Sequence, residues 1–168
     1  MNKKPDNSEI INEQRALNTM ADLLTDICEE SSKDKDTNNK YIKPFLSKKI
    51  PSISIKQYLE RLLSHTKIEI STLIMMLIYI DKICREHNFR LNYFNIHKLI
   101  ITSMLISIKY NEDEYFSNCF YAKVGGISVK DLDFLEYVFL TLIDFQLFVD
   151  EELYNKYSSY ILSIKVDE

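Results

Sequence analysis

Glycine is nearly absent from this 168-residue chain, occurring only as the adjacent pair Gly125 and Gly126. Proline is confined to Pro5, Pro44 and Pro51, so residues 52–168 contain none. Sandwiches and barrels depend on those two residue types for their turns. A chain this poor in them has almost nowhere to build hairpins, and an all-α fold is expected. The same scarcity excludes glycine-rich phosphate loops and dinucleotide fingerprints. Cysteine is also scarce: Cys28, Cys84 and Cys119 are odd in number and form no C-x-x-C. The start, Met1-Asn2-Lys3-Lys4-Pro5, shows no secretory segment. An intracellular, reducing location in nucleus or cytoplasm is therefore expected. The longest apolar run, Leu73 to Ile80, falls far short of the roughly twenty residues a membrane span needs, so no membrane partner is expected.

What is present is an ordinary globular composition, 46% hydrophobic and 27% charged. Net charge is −4, which argues against nucleic acid as the main partner. The charge is uneven: residues 111–168 hold 4 basic and 12 acidic side chains, a local −8. That excess fits either a solvated acidic face or a surface for a basic partner.

Helical periodicity organises the chain. Ser8–Glu30 places Ile10, Leu17, Met20, Ala21, Leu24, Ile27 and Cys28 on one face. The polar run 31–40 reads as a linker, giving a division into residues 1–50 (helix plus linker) and residues 51–168. Ser54 with Gln57 signals a capping box for a helix striped by Ile55, Tyr58, Leu59, Leu62 and Leu63. Ser71 is the expected cap of a central apolar helix to His87, and Asn95 that of the next, to about Tyr110. A short helix, about Tyr115 to Lys123, is expected to stop at Gly125-Gly126, with positive φ placed at Gly125. Ser128 then caps a helix striped by Leu132, Leu135, Phe139, Leu142 and Ile143, and Asp150 opens a last one.

Three charges interrupt these stripes. Asp81 follows eight apolar residues; Glu136 lies among Leu135 and Phe139; Lys109 sits at the edge of its helix's apolar face. Asp81 reads as structural, with Arg61 as a candidate partner, because a buried carboxylate is costly unless paired. An acid and a base on neighbouring helices, neither expected to hold a core hydrogen bond, suit the backbone of a docked protein. Catalysis has little support: Cys84, His87 and His97 make at most three ligands where a structural zinc site needs four, and neither H-E-x-x-H nor G-x-S-x-G occurs. No metal, cofactor or small-molecule substrate is expected.

The run Asp113, Tyr115, Asn118 and then Tyr121-Ala122-Lys123-Val124-Gly125-Gly126-Ile127 resembles the signature of the P/U-type cyclins. Tyr79-Ile80-Asp81, Asn95-x-His97-Lys98-Leu99, Lys109 and Leu132-x-x-Leu135-Glu136 agree with it in order and spacing. Lys98 replaces the family's usual Arg and Ser107 its usual Ala. The resemblance covers about residues 51–157. It implies a single five-helix cyclin box with extra N- and C-terminal helices, acting as the non-enzymatic regulatory subunit that activates a cyclin-dependent kinase in cell-cycle control or nutrient signalling. By the same resemblance Lys109 and Glu136 are kinase-binding, together with Asp113, Tyr115, Asn118, Tyr121 and Lys123, while Asp81, Gly125 and Gly126 are structural. The alternative from another class is a cyclin-fold adaptor for a non-kinase protein.

Overall fold

The computed structural model describes residues 7–31 and 38–163. Most of the expected linker, residues 32–37, lies outside the described residues. Among the described residues seven α-helices follow one another: α1 (Asn7–Glu30), α2 (Ile55–Thr66), α3 (Ile70–His87), α4 (Ile96–Asn111), α5 (Asn118–Gly125), α6 (Val129–Leu142) and α7 (Glu151–Ser163), with a 3-10 turn at Lys43–Phe45. No strand occurs among the described residues, and none of their helices is long and apolar enough to cross a membrane.

Local chemistry explains most helix starts. Ser54 Oγ accepts from the Gln57 amide at 3.1 Å while Gln57 Oε1 accepts from the Ser54 amide at 3.3 Å, closing the capping box of α2. Ser117, Ser128 and Asp150 accept in the same way from Phe120, Asp131 and Leu153. Three starts differ from expectation: α5 opens at Asn118 behind its Ser117 cap rather than near Tyr115, and the starts of α3 and α4 are held otherwise than expected. α3 begins at Ile70 with Glu69 as N-cap, and Ser71 does not cap it. The Glu112 carboxylate, brought from the end of α4, accepts from both the Glu69 amide and the Thr72 hydroxyl. Asn95 stands at the N-cap of α4 but makes no capping bond. Its side chain turns back, accepting from Asn92 N at 3.0 Å and donating to Arg90 O at 2.9 Å, which braces the α3–α4 connection.

α4 lies at the centre, packed by α2, α3, α5 and α6, and every residue from Leu99 to Ile108 is buried. α1 packs on α2 and α7, and α7 also on α3. Ala16, Leu17, Met20, Ala21, Leu24 and Cys28 of α1 belong to the same hydrophobic core as the central helices. The division at residue 50 therefore does not separate two cores. Ile10, expected on the inner face, is 47% exposed, because α1 meets its neighbours only from Ala16 onward.

The glycine pair divides its work differently from the sequence reading. Gly126, not Gly125, has the left-handed backbone (φ +68°) that ends α5. Gly125 is needed for close approach: a Cβ there would lie 2.7 Å from Ile101 Cγ1. Its carbonyl accepts from the Tyr58 hydroxyl at 2.8 Å, clamping α5 to α2.

Candidate functional site

Lys109 occupies the last turn of α4, where a cation complements the helix dipole. Its Nζ donates to Glu136 Oε1 on α6 at 2.7 Å. The second oxygen, Oε2, accepts from Asn118 Nδ2 at 2.9 Å, and the same amide group donates to Asp133 Oδ1 at 2.6 Å. Three helices thus converge on one carboxylate. The two charges were expected to hold no internal bond; they hold each other, because the end of α4 and the outer face of α6 meet here. The pair still reaches solvent, with the Lys109 side chain 31% and that of Glu136 16% exposed. An ammonium has three donors, and one is used here.

The other residues assigned to this site divide. Tyr121 is corrected: it is buried in the core, its hydroxyl accepting from the Phe116 amide at 3.2 Å, so it shapes the α4–α5 connection from within. Asp113, Tyr115 and Lys123 are exposed, and among the described residues their side chains make no hydrogen bond to the Lys109–Glu136–Asn118 group.

Sequence reasoning marked Tyr115 through the resemblance but missed the other exposed aromatic side chains on the same elements. Tyr110, Tyr115, Phe116, Phe134 and Tyr137 are each half or more exposed. Beyond α6, Phe145 and Phe148 are 64% and 80% exposed. Asp144 and Phe145 both have left-handed backbone, φ 53° and 54°, which aspartate tolerates and which is unusual for a residue as bulky as Phe145. Tyr79 Oη donating to Leu147 O at 2.8 Å and Lys82 Nζ to Gln146 O at 3.2 Å hold this turn on α3. Tyr110 and Phe148 line a common cavity of about 500 Å³ with Met75 and Tyr154, which joins the end of α4 to the turn after α6. Aromatic residues at polar-face positions of α6 were the available signal.

Asp81 belongs to a separate cluster. Its partner is not Arg61: Arg85 Nε lies 3.0 Å from Oδ2, one helical turn on, and Tyr157 of α7 donates its hydroxyl to the same carboxylate. Burial, and then the carboxylate beside it, push the Tyr157 phenol up to about 12. The cluster opens on a cavity of about 600 Å³ between α1, α3 and α7, lined by Leu24, Leu77 and Cys84. Arg61 instead stacks over Tyr58, its Cζ 5.1 Å from the ring centre.

The three metal-ligand candidates are not assembled. His87 Nε2 bonds Leu142 O at 2.6 Å and His97 Nε2 bonds Ile53 O at 2.9 Å. Burial pushes the Cys84 thiol up to about 12 and lowers His97 below its usual value. Among the described residues no group of three or more His, Cys, Asp or Glu could hold a metal.

The family model described as Cyclin matches residues 8–147. Cyclin-U4-1 of Arabidopsis thaliana is 39% identical over 112 residues, 66% of this chain and 55% of the relative. PHO85 cyclin-7 of Saccharomyces cerevisiae is 33% identical over 165 residues, 89% of this chain and 57% of the relative. Cyclin-P3-1 of Oryza sativa subsp. japonica is 33% identical over 143 residues, 85% and 57%. The chain spans about half the length of the curated relatives it matches.

Proposed function

The chain belongs to the cyclin family, in its P/U-type branch, and from that premise we propose that it is the regulatory subunit of a cyclin-dependent protein kinase. The observation that carries the proposal is the partly exposed Lys109–Glu136 pair, braced by Asn118, on elements that also carry exposed aromatic side chains. Aromatic side chains supply contact area at low entropic cost, and a grouping of them on a surface marks a protein interface. The free Lys109 donors and the remaining carboxylate lone pairs are suited to backbone carbonyls and amides of a docked helix or loop.

Docking there acts by population shift. A kinase whose inactive state leaves the C-helix glutamate away from the catalytic lysine is driven to the active state to the extent that the cyclin binds that state more tightly. The chain supplies binding energy and the kinase supplies the chemistry. One relative is named PHO85 cyclin-7 and another, from Schizosaccharomyces pombe, PHO85 cyclin-like protein psl1, which supports a partner of that kind. The pathway is cell-cycle control or nutrient signalling, and the place of action is the nucleus or cytoplasm, where ATP and kinases are. The test is reconstitution with a purified PHO85-type kinase at fixed concentration. Phosphorylation of a model peptide should rise saturably with added chain. Tight binding without activation would favour the adaptor reading, and no binding would overturn both.

A further inference from the structure

In a chain of net charge −4, residues 37–59 hold five lysines, Lys40, Lys43, Lys48, Lys49 and Lys56, and no aspartate or glutamate. All five are exposed. The segment that displays them is anchored at many points. Asn39 Nδ2 donates to His87 O at 3.1 Å, and Ile42 and Phe45 are fully buried, with Phe45 edge-on to Phe139. Further on, the Ser47 amide donates to Phe94 O at 2.7 Å and Lys98 Nζ to Leu46 O at 3.3 Å. His97 Nε2 donates to Ile53 O at 2.9 Å. Residues 46–53 are therefore pinned at both ends to the segment that opens α4, and between those anchors Lys48, Lys49 and the 50%-exposed Ile50 face solvent. A charged face that is already ordered loses little entropy on binding.

We propose that this lysine face is a docking site for an anionic segment of a protein substrate, carboxylate-rich or phosphorylated, with one apolar side chain set against Ile50. The substrate assignment rests on the kinase-subunit reading above. The chemistry favours a short peptide over larger polyanions. Residues 37–59 contain no arginine, the residue whose planar fork grips phosphates bidentately and stacks on bases. One exposed isoleucine is too little apolar surface for an interfacial membrane anchor. The acidic remainder of the chain opposes extended polyanions, whereas a short segment feels mainly charges within a screening length of about 10 Å. The face also leaves the kinase site free. Lys98 and Lys109 are eleven residues apart on α4, which at 1.5 Å per residue puts them about 17 Å apart along the axis.

The test begins with the free chain, so it does not depend on a kinase. Fluorescence anisotropy would use three labelled peptides on one backbone containing a single leucine: glutamate-rich, phosphoserine-containing, and glutamine-substituted. The two anionic peptides, or one of them, should bind with salt-sensitive affinity and the neutral one should not. Lys43→Ala/Lys49→Ala/Lys56→Ala should weaken binding about tenfold or more. Lys130→Ala/Lys156→Ala should leave it unchanged. In the reconstituted kinase complex the triple variant should raise KM for a substrate carrying the anionic segment and leave kcat, and a short neutral substrate, unaffected. The proposal is overturned if neither anionic peptide binds or the triple variant binds equally well. It is also overturned if a single-stranded RNA or phosphatidylserine vesicles compete better than peptide, or if the face proves to pair with the acidic half of a second copy by light scattering. Peptide binding by a chain that activates no kinase would remove the substrate assignment alone; kinase activation without peptide binding would remove the docking site alone.

Discussion

At the end of α4, Lys109 and Glu136 meet at 2.7 Å with Asn118 behind them; on α3, Asp81 takes Arg85 from its own helix and Tyr157 from α7. Both clusters begin as charges interrupting an apolar stripe. They differ in what is left over. The Asp81 carboxylate faces an apolar cavity and is served by a guanidinium and a phenol, both from the chain itself. Lys109 keeps donors to offer, and exposed rings stand on α4, on α6 and on the 112–117 connection beside it in sequence. A misplaced charge on a helical wheel therefore identifies a place where something must pair. The unused hydrogen-bonding capacity and the neighbouring apolar exposure indicate whether the partner is internal or another molecule.

The comparison is broken most severely by Lys109→Ala/Glu136→Ala. Hydrogen bonds to charged groups contribute roughly 1.5–3 kcal/mol each, so loss of two should weaken kinase binding by about two orders of magnitude or more. The free chain should lose only about 1 kcal/mol, because the pair is partly solvated. Titration of the kinase beside a circular-dichroism melt separates the two quantities; a variant that unfolds would make the pair a structural brace.

A smaller effect is expected where the support of the first cluster is disturbed without touching its charges. Gly125→Ala places a methyl 2.7 Å from Ile101 Cγ1 and 3.0 Å from Cδ1, inside a fully buried region. Overpacking of this kind costs about 1–3 kcal/mol. The thermal midpoint should fall by several degrees; an unchanged midpoint would mean that Ile101 yields freely.

The smallest effect sharpens the contrast. Asp81→Asn retains an acceptor for Tyr157 and loses only the charge attraction to Arg85, whose side chain is 64% exposed. Stability should fall by less than about 1 kcal/mol, and kinase titration should be indistinguishable from that of the unaltered chain. A large loss of kinase binding would place Asp81 in the interface.

What the sequence made legible follows the range of the interaction. The starts of α2, α6 and α7 are written in residues three apart, Ser54 with Gln57, Ser128 with Asp131, Asp150 with Leu153, and the structure has each of them. The start of α3 depends on Glu112, some forty residues away, which no local pattern encodes. Asp81 shows both cases at once. Arg85 stands four residues on and was readable as an i, i+4 pair, while Tyr157 required the whole fold to bring α7 back over α3. Family likeness marked Tyr121 but not its direction, and only packing places its ring inside while Tyr115 and Phe116 face out.

The encasement of α4 limits how such a protein can diversify. A helix enclosed from Leu99 to Ile108 has no side free to be rewritten, since each change there alters the core. Divergence in partner choice is left to its tip, the 112–117 connection and the turn after α6. Lineages of this fold would then keep a common axle and vary in the short segments around one end of it.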